Sequence, residues 1–118
     1  MFDYSQYEKA PIIETKDFKS PKNGYLFFYK TLDKKKIRVG IWYPENYTKT
    51  FSSKGTILLQ QGHNEFIEKY FEVIQEFLNR DFIVICFDWR GQGMSDRMID
   101  NQNKAYIKSF KKHDNDLN

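Results

Sequence analysis

Two short stretches hold the residues whose types and spacing could do chemistry: Gln61-Gly62-His63, and Asp88-Trp89-Arg90-Gly91-Gln92-Gly93-Met94-Ser95. The second brings together a carboxylate, a guanidinium, two glycines and a hydroxyl. Gly91 and Gly93 permit positive φ or a close backbone approach, as a sharp loop requires. Asp88 and Arg90 are placed to hold such a loop by charge-assisted hydrogen bonds. A serine nucleophile would need Gly-x-Ser-x-Gly on a strand-to-helix elbow. Ser95 is instead followed by Asp96-Arg97, and none of the six serines (5, 20, 52, 53, 95 and 109) lies in that pattern. Ser95 therefore reads as structural. Gly91 to Asp96 nearly spells a dinucleotide fingerprint, but Asp96 replaces the third glycine and no amphipathic helix follows, so a phosphate would find no helix N-terminus. One cysteine and two distant histidines give no zinc spacing, and no metal is expected.

Both stretches must be carried by something. Thr56-Ile57-Leu58-Leu59 and Phe82-Ile83-Val84-Ile85-Cys86-Phe87 are continuous apolar runs, the texture of strands covered on two faces in a parallel sheet. Between them Phe66, Ile67, Tyr70, Phe71, Ile74, Phe77 and Leu78 recur at helical spacing. The predicted unit is β-α-β over residues 55 to 88, with a right-handed crossover, and both glycine-bearing stretches leave the carboxyl ends of its strands. Upstream, residues 24 to 43 read as an antiparallel hairpin: Tyr25 to Thr31, a polar turn at Asp33 to Lys35, then Ile37 to Tyr43. In the second of these strands Ile37, Val39 and Ile41 alternate with Arg38, Gly40 and Trp42, one face buried and the other partly wet. Residues 1 to 22, broken by Pro11 and Pro21, read as an arm over a domain of residues 23 to 118. Ala105 to Asn118 reads as the opening of a further helix, with no breaker to close it.

Composition bounds the rest. With 118 residues, 40% apolar and 18% aromatic, the chain can form one globular domain. Its net charge of +3 is made of mixed signs, which gives no electrostatic commitment to nucleic acid or membrane. Cys86 has no partner in the chain and fits a buried site in a reducing compartment. No signal segment and no apolar run near ~20 residues is present, so a cytoplasmic protein is expected.

Three strings carry a resemblance: Gly55-Thr56-Ile57-Leu58-Leu59-Gln60-Gln61-Gly62-His63, the helix ending Phe77-Leu78-Asn79-Arg80, and Phe87-Asp88-Trp89-Arg90-Gly91-Gln92-Gly93-Met94-Ser95. Together they resemble consecutive pieces of the α/β-hydrolase family, in its bacterial lysophospholipase and monoacylglycerol-lipase (serine aminopeptidase S33-like) branch. There the strand after the crossover helix runs into Asp-x-Arg-Gly-x-Gly-x-Ser, matched here at Asp88, Arg90, Gly91, Gly93 and Ser95. The tail Phe110 to Leu117 also resembles the start of the helix before the nucleophile strand. The resemblance covers about residues 25 to 118.

It implies an incomplete α/β-hydrolase fold: hairpin, parallel β-α-β, and the start of another helix. It implies that Gly62, Asp88, Arg90, Gly91, Gly93 and Ser95 support the site. The backbone N–H of His63, the residue after the glycine, would serve the oxyanion hole. Many members carry His-Gly where this chain has Gln61-Gly62. The family's catalytic histidine follows its last strand, so neither the His63 imidazole nor His113 is expected to act as base. Nucleophile, acid and histidine would all lie after the segment seen here. The expectation is an N-terminal fragment of a serine carboxylic-ester hydrolase, inactive without its C-terminal half. The complete enzyme would take a lipid-like ester and use no cofactor. The alternative is a non-catalytic fragment or split-gene product acting only by association with a complementary chain.

Overall fold

The computed structural model describes residues 5–45, 47, 53–63 and 65–96. These form a mixed five-stranded sheet with one helix packed on it. In chain order the elements are β1 (Glu8–Lys9), β2 (Gly24–Lys30), β3 (Lys36–Trp42), β4 (Gly55–Leu59), a 3₁₀ turn (Ile67–Tyr70), α1 (Phe71–Asn79) and β5 (Phe82–Phe87). The sheet order is β1-β2-β3-β5-β4. Helix expected at 105–118 lies outside the described residues.

The hairpin pairs β2 with β3 antiparallel, from Gly24 opposite Trp42 to Lys30 opposite Lys36. Its turn closes through the Lys34 amide on the Thr31 carbonyl at 2.9 Å and the Thr31 amide on the Lys35 carbonyl at 2.9 Å. Between residues 55 and 87 the chain makes the predicted crossover: β4 and β5 are neighbours and parallel, with Gly55 opposite Phe82 and Leu59 opposite Cys86. Segment 1–22 contributes one short strand that the sequence reading left out, β1, which pairs antiparallel with β2.

Three expectations are corrected. First, the most deeply buried face of β3 carries Arg38, Gly40 and Trp42, whereas Val39 and Ile41 are half-buried. The reason is the indole of Trp42, which lies flat on the sheet: a Cβ on Gly24 would come within 2.3 Å of its Nε1, and one on Gly40 within 2.4 Å of its ring. Only glycine leaves that space open. Helix α1 packs over this side, in a core of Trp42, Ile67, Phe71, Ile74, Leu78, Val84 and Cys86. Second, β4 is not covered on both faces among the described residues. It is an edge strand there, and Leu58 is 48% exposed. Third, the helix does not begin as one piece at Phe66, because its first turn is wound as 3₁₀ with the Lys69 amide on the Phe66 carbonyl at 3.1 Å. The Ile67 amide is drawn to Asp88 at 2.9 Å.

Candidate functional site at the carboxyl ends of the parallel strands

Because β4 and β5 run the same way, the turns that leave them emerge at one end of the sheet. Side chains tie these turns together. The Trp89 indole Nε1 donates to the Gln61 carbonyl at 3.0 Å, and the Glu65 amide donates to Gln92 Oε1 at 3.2 Å. Gln61 Nε2 reaches Asp88 Oδ1 at 3.4 Å. Residues 60–63 and Glu65 on one side and 88–96 on the other thus make one rim.

Asp88 is the anchor of that rim, with none of its side chain exposed. Oδ1 accepts from the Ile67 amide, and Oδ2 accepts from the Met94 amide at 2.9 Å and from Arg38 Nε at 2.7 Å. Gly93 makes the approach possible. Its φ is +53°, and a Cβ there would lie 2.3 Å from the Asp88 carboxyl carbon. Gly91 also has positive φ, at 80°. Its amide donates to the Asp96 carbonyl at 2.8 Å.

Ser95 is buried and fully used. Its Oγ donates to the Asp88 carbonyl at 2.6 Å and accepts the Arg38 amide at 2.9 Å. A hydroxyl held in this way stitches a loop to β3 and presents nothing to a substrate. Arg90 turns the other way and grips Asp33, in the hairpin turn, with a two-pronged contact at 2.8 and 3.0 Å. Asp96 completes the seam to β3, where its Oδ2 accepts the Lys36 amide at 2.8 Å.

Gly62 and His63 sit at the exposed end of the first turn. The Glu65 carboxylate curls over Gly62, where a Cβ would meet Oε1 at 2.6 Å. Tyr70 joins them. Its phenol is raised, first by a hydrogen bond with Glu65, then by burial, against an opposing bond from the Gly62 amide. Buried beneath the turn, Gln61 Oε1 has no hydrogen-bond partner among the described residues.

Arg38 and Glu68 were missed as site neighbours by the sequence reading. Arg38 Nη1 and Nη2 meet Glu68 Oε2 and Oε1 at 2.7 and 2.6 Å. Burial alone would lower the Arg38 guanidinium, but Glu68 and Asp88 outweigh it and raise the group. Burial likewise pushes the Glu68 carboxyl up, yet Arg38 and the Ile13 amide hold it below its ordinary value. The available signal was an arginine alternating with glycine and tryptophan, read as a wet face. Cys86, close to Gln61 Nε2 at 3.5 Å, is pushed up to about 11 by burial.

Among the described residues no group of three or more His, Cys, Asp or Glu could hold a metal, and no helix is long and apolar enough to cross a membrane. A polar cleft of about 720 Å³, lined in part by Lys19, Lys22, Tyr43, Asn79 and Asp81, lies at the opposite end of the sheet. It has no part in the rim.

Comparison with known proteins places this geometry. No curated protein sequence matches the chain. A carboxyl esterase from Bacillus coagulans superposes with a TM-score of 0.52 at 16% identity, over 64% of this chain and 23% of the esterase. A lipase in an open form gives 0.51 at 18% identity, over 59% of this chain and 21% of the lipase. A hypothetical protein from Pseudomonas aeruginosa gives 0.54 at 11% identity, covering 75% and 29%. At these identities the likeness is one of fold, and the chain spans between a fifth and a third of each structure. The family model for serine aminopeptidase, S33, matches residues 52–118, more than half of the sequence. The chain belongs to that family and carries part of the α/β-hydrolase fold.

Proposed function

We propose that this chain supplies the oxyanion-hole side of a serine ester hydrolase of the lysophospholipase or monoacylglycerol-lipase type. In this reading the backbone N–H of His63 stabilises the oxyanion of the tetrahedral intermediate, and Gly62 keeps the backbone close to it. Asp88, Gly91, Gly93 and Ser95 shape the neighbouring loop, and Arg90 fastens that loop to the hairpin. The observation that carries the reading is the parallel pairing of β4 with β5, which brings the Gly62-His63 turn against the Asp88–Ser95 loop.

The 118 residues hold no Gly-x-Ser-x-Gly, and the Ser95 hydroxyl is already committed. The chain by itself therefore does not form an acyl-serine intermediate. Catalysis needs a nucleophile, acid and histidine from a complementary polypeptide segment, and a lipid-like carboxylic ester is the substrate of the completed site. Labelling with a serine-directed fluorophosphonate tests this directly. The chain alone is expected to stay unlabelled. Stoichiometric labelling at any of its serines would overturn the claim that it lacks a nucleophile. Coding sequence immediately downstream that specifies Gly-x-Ser-x-Gly followed by Asp and His would identify the complementary segment.

A further inference from the structure

Three charged side chains are buried together behind the rim: Arg38 and Asp88 with none of the side chain exposed, and Glu68 with 11%. Removing such groups from water costs several kcal/mol per ion, and an apolar replacement of similar size is often at least as stable. What an ion cluster supplies that apolar packing does not is direction, because each bond has a fixed donor, acceptor and angle. Here the bonds run to three different parts of the chain. Arg38 Nε goes to Asp88 in the loop after β5, Nη1 and Nη2 go to Glu68 at the start of the helical segment, and Nη1 also meets the Pro11 carbonyl at 3.0 Å.

One guanidinium faces two carboxylates, so the cluster carries a net charge of minus one. Backbone amides meet the excess: Ile13 on Glu68 Oε2, Ile67 on Asp88 Oδ1 and Met94 on Asp88 Oδ2, each at 2.9 Å. Those three amides belong to the N-terminal segment, the start of the 3₁₀ turn that follows the Gly62-His63 turn, and the 88–96 loop. The turn and the loop therefore cannot shift independently without stranding a buried charge.

We propose that Arg38 and Glu68 are positioning residues for the Gly62-His63 turn, and that the segment from Pro11 to Ile13 is a strap that completes their cluster. This rests on the reading of that turn as the oxyanion side of an ester-hydrolase site. Neither side chain touches substrate. Arg38 sets the loop through Asp88, and Glu68 sets the helix start from which the turn hangs. The strap gives the cluster an acceptor, the Pro11 carbonyl, and a donor, the Ile13 amide, so the N-terminal segment acts on the rim without reaching it.

The test is amide hydrogen exchange on the 118-residue chain with Arg38→Lys and Glu68→Gln, followed together with the Trp89 indole N–H signal. At least tenfold faster exchange is expected at Ile13, Ile67 and Met94, with a shifted and less protected Trp89 indole. Hairpin amides such as Phe27 and Ile41 are expected to keep their protection. Unchanged exchange at Ile67 and Met94, or an equal rise at hairpin and rim in Glu68→Gln, would overturn the proposal, since the cluster would then add only general stability. Should Arg38→Lys fail to fold, Glu68→Gln decides by the same comparison. Fluorophosphonate labelling bears on the hydrolase reading alone and exchange on the positioning claim alone, so each can fail separately.

Discussion

Gly93→Ala is a sharp perturbation of this architecture, because a single methyl group would meet the fully buried carboxylate of Asp88. Backbone strain alone is affordable here: Asn23, Lys34 and Asp81 hold φ of 62°, 64° and 68° without glycine. For alanine at φ +53° that strain amounts to roughly 1–2 kcal/mol. The larger cost is steric. The new Cβ would lie 2.3 Å from the carboxyl carbon and Oδ2 of Asp88 and 2.6 Å from Oδ1. Carbon atoms in contact sit at about 3.5–4.0 Å, so the carboxyl group must retreat by more than about 1 Å. Its retreat breaks the bond from the Met94 amide and strains that from Arg38 Nε, and a hydrogen bond to a charged group is worth about 1.5–3 kcal/mol. The sum is about 2.5–5 kcal/mol, a large fraction of the stability of a small domain. Urea denaturation of wild type and variant, followed by tryptophan fluorescence, measures it. Lys34→Gly, which relieves the same φ on an exposed turn, serves as the reference and should change stability by no more than about 1 kcal/mol. If Gly93→Ala loses less than about 1 kcal/mol, the close packing of Gly93 on Asp88 is wrong, and with it the account of the loop.

Other expectations concern the core, the ion cluster and the thiol. Ile74 is completely buried on the inner face of α1, so Ile74→Ala should destabilise by about 2–5 kcal/mol in the same denaturation assay. Glu68 has a folded-state pKa below its ordinary value of 4.5, so its contribution to stability is full above that value and disappears as pH falls through the depressed one. Thermal melts between pH 7 and pH 3 should show this acid-side loss, and Glu68→Gln should flatten it. Cys86 is fully buried with its thiol pushed up to about 11, so a thiol reagent at pH 8 should leave the folded protein unmodified and react only after denaturation.

The sequence by itself determined the order and direction of the elements. Two apolar runs separated by a helical stripe have the length and connection that a parallel pair needs, and β4, α1 and β5 follow that pattern because periodicity reports which side of an element avoids water. The glycines of the second loop were legible for the same local reason, since positive φ at Gly91 and Gly93 is a property of each residue's own backbone. Partners distant along the chain were not legible. Arg38 stood in a strand as an apparent wet-face residue, and only the docking of β3 beside β5 and the helix start gave it Asp88 and Glu68, 50 and 30 positions away. Trp42 likewise became the floor of the core because Gly24 and Gly40 lie beneath its ring once β2 and β3 pair. Local pattern measures the average preference of a face for water. Whether one charge or one ring on that face is buried depends on which groups the tertiary structure brings to meet it.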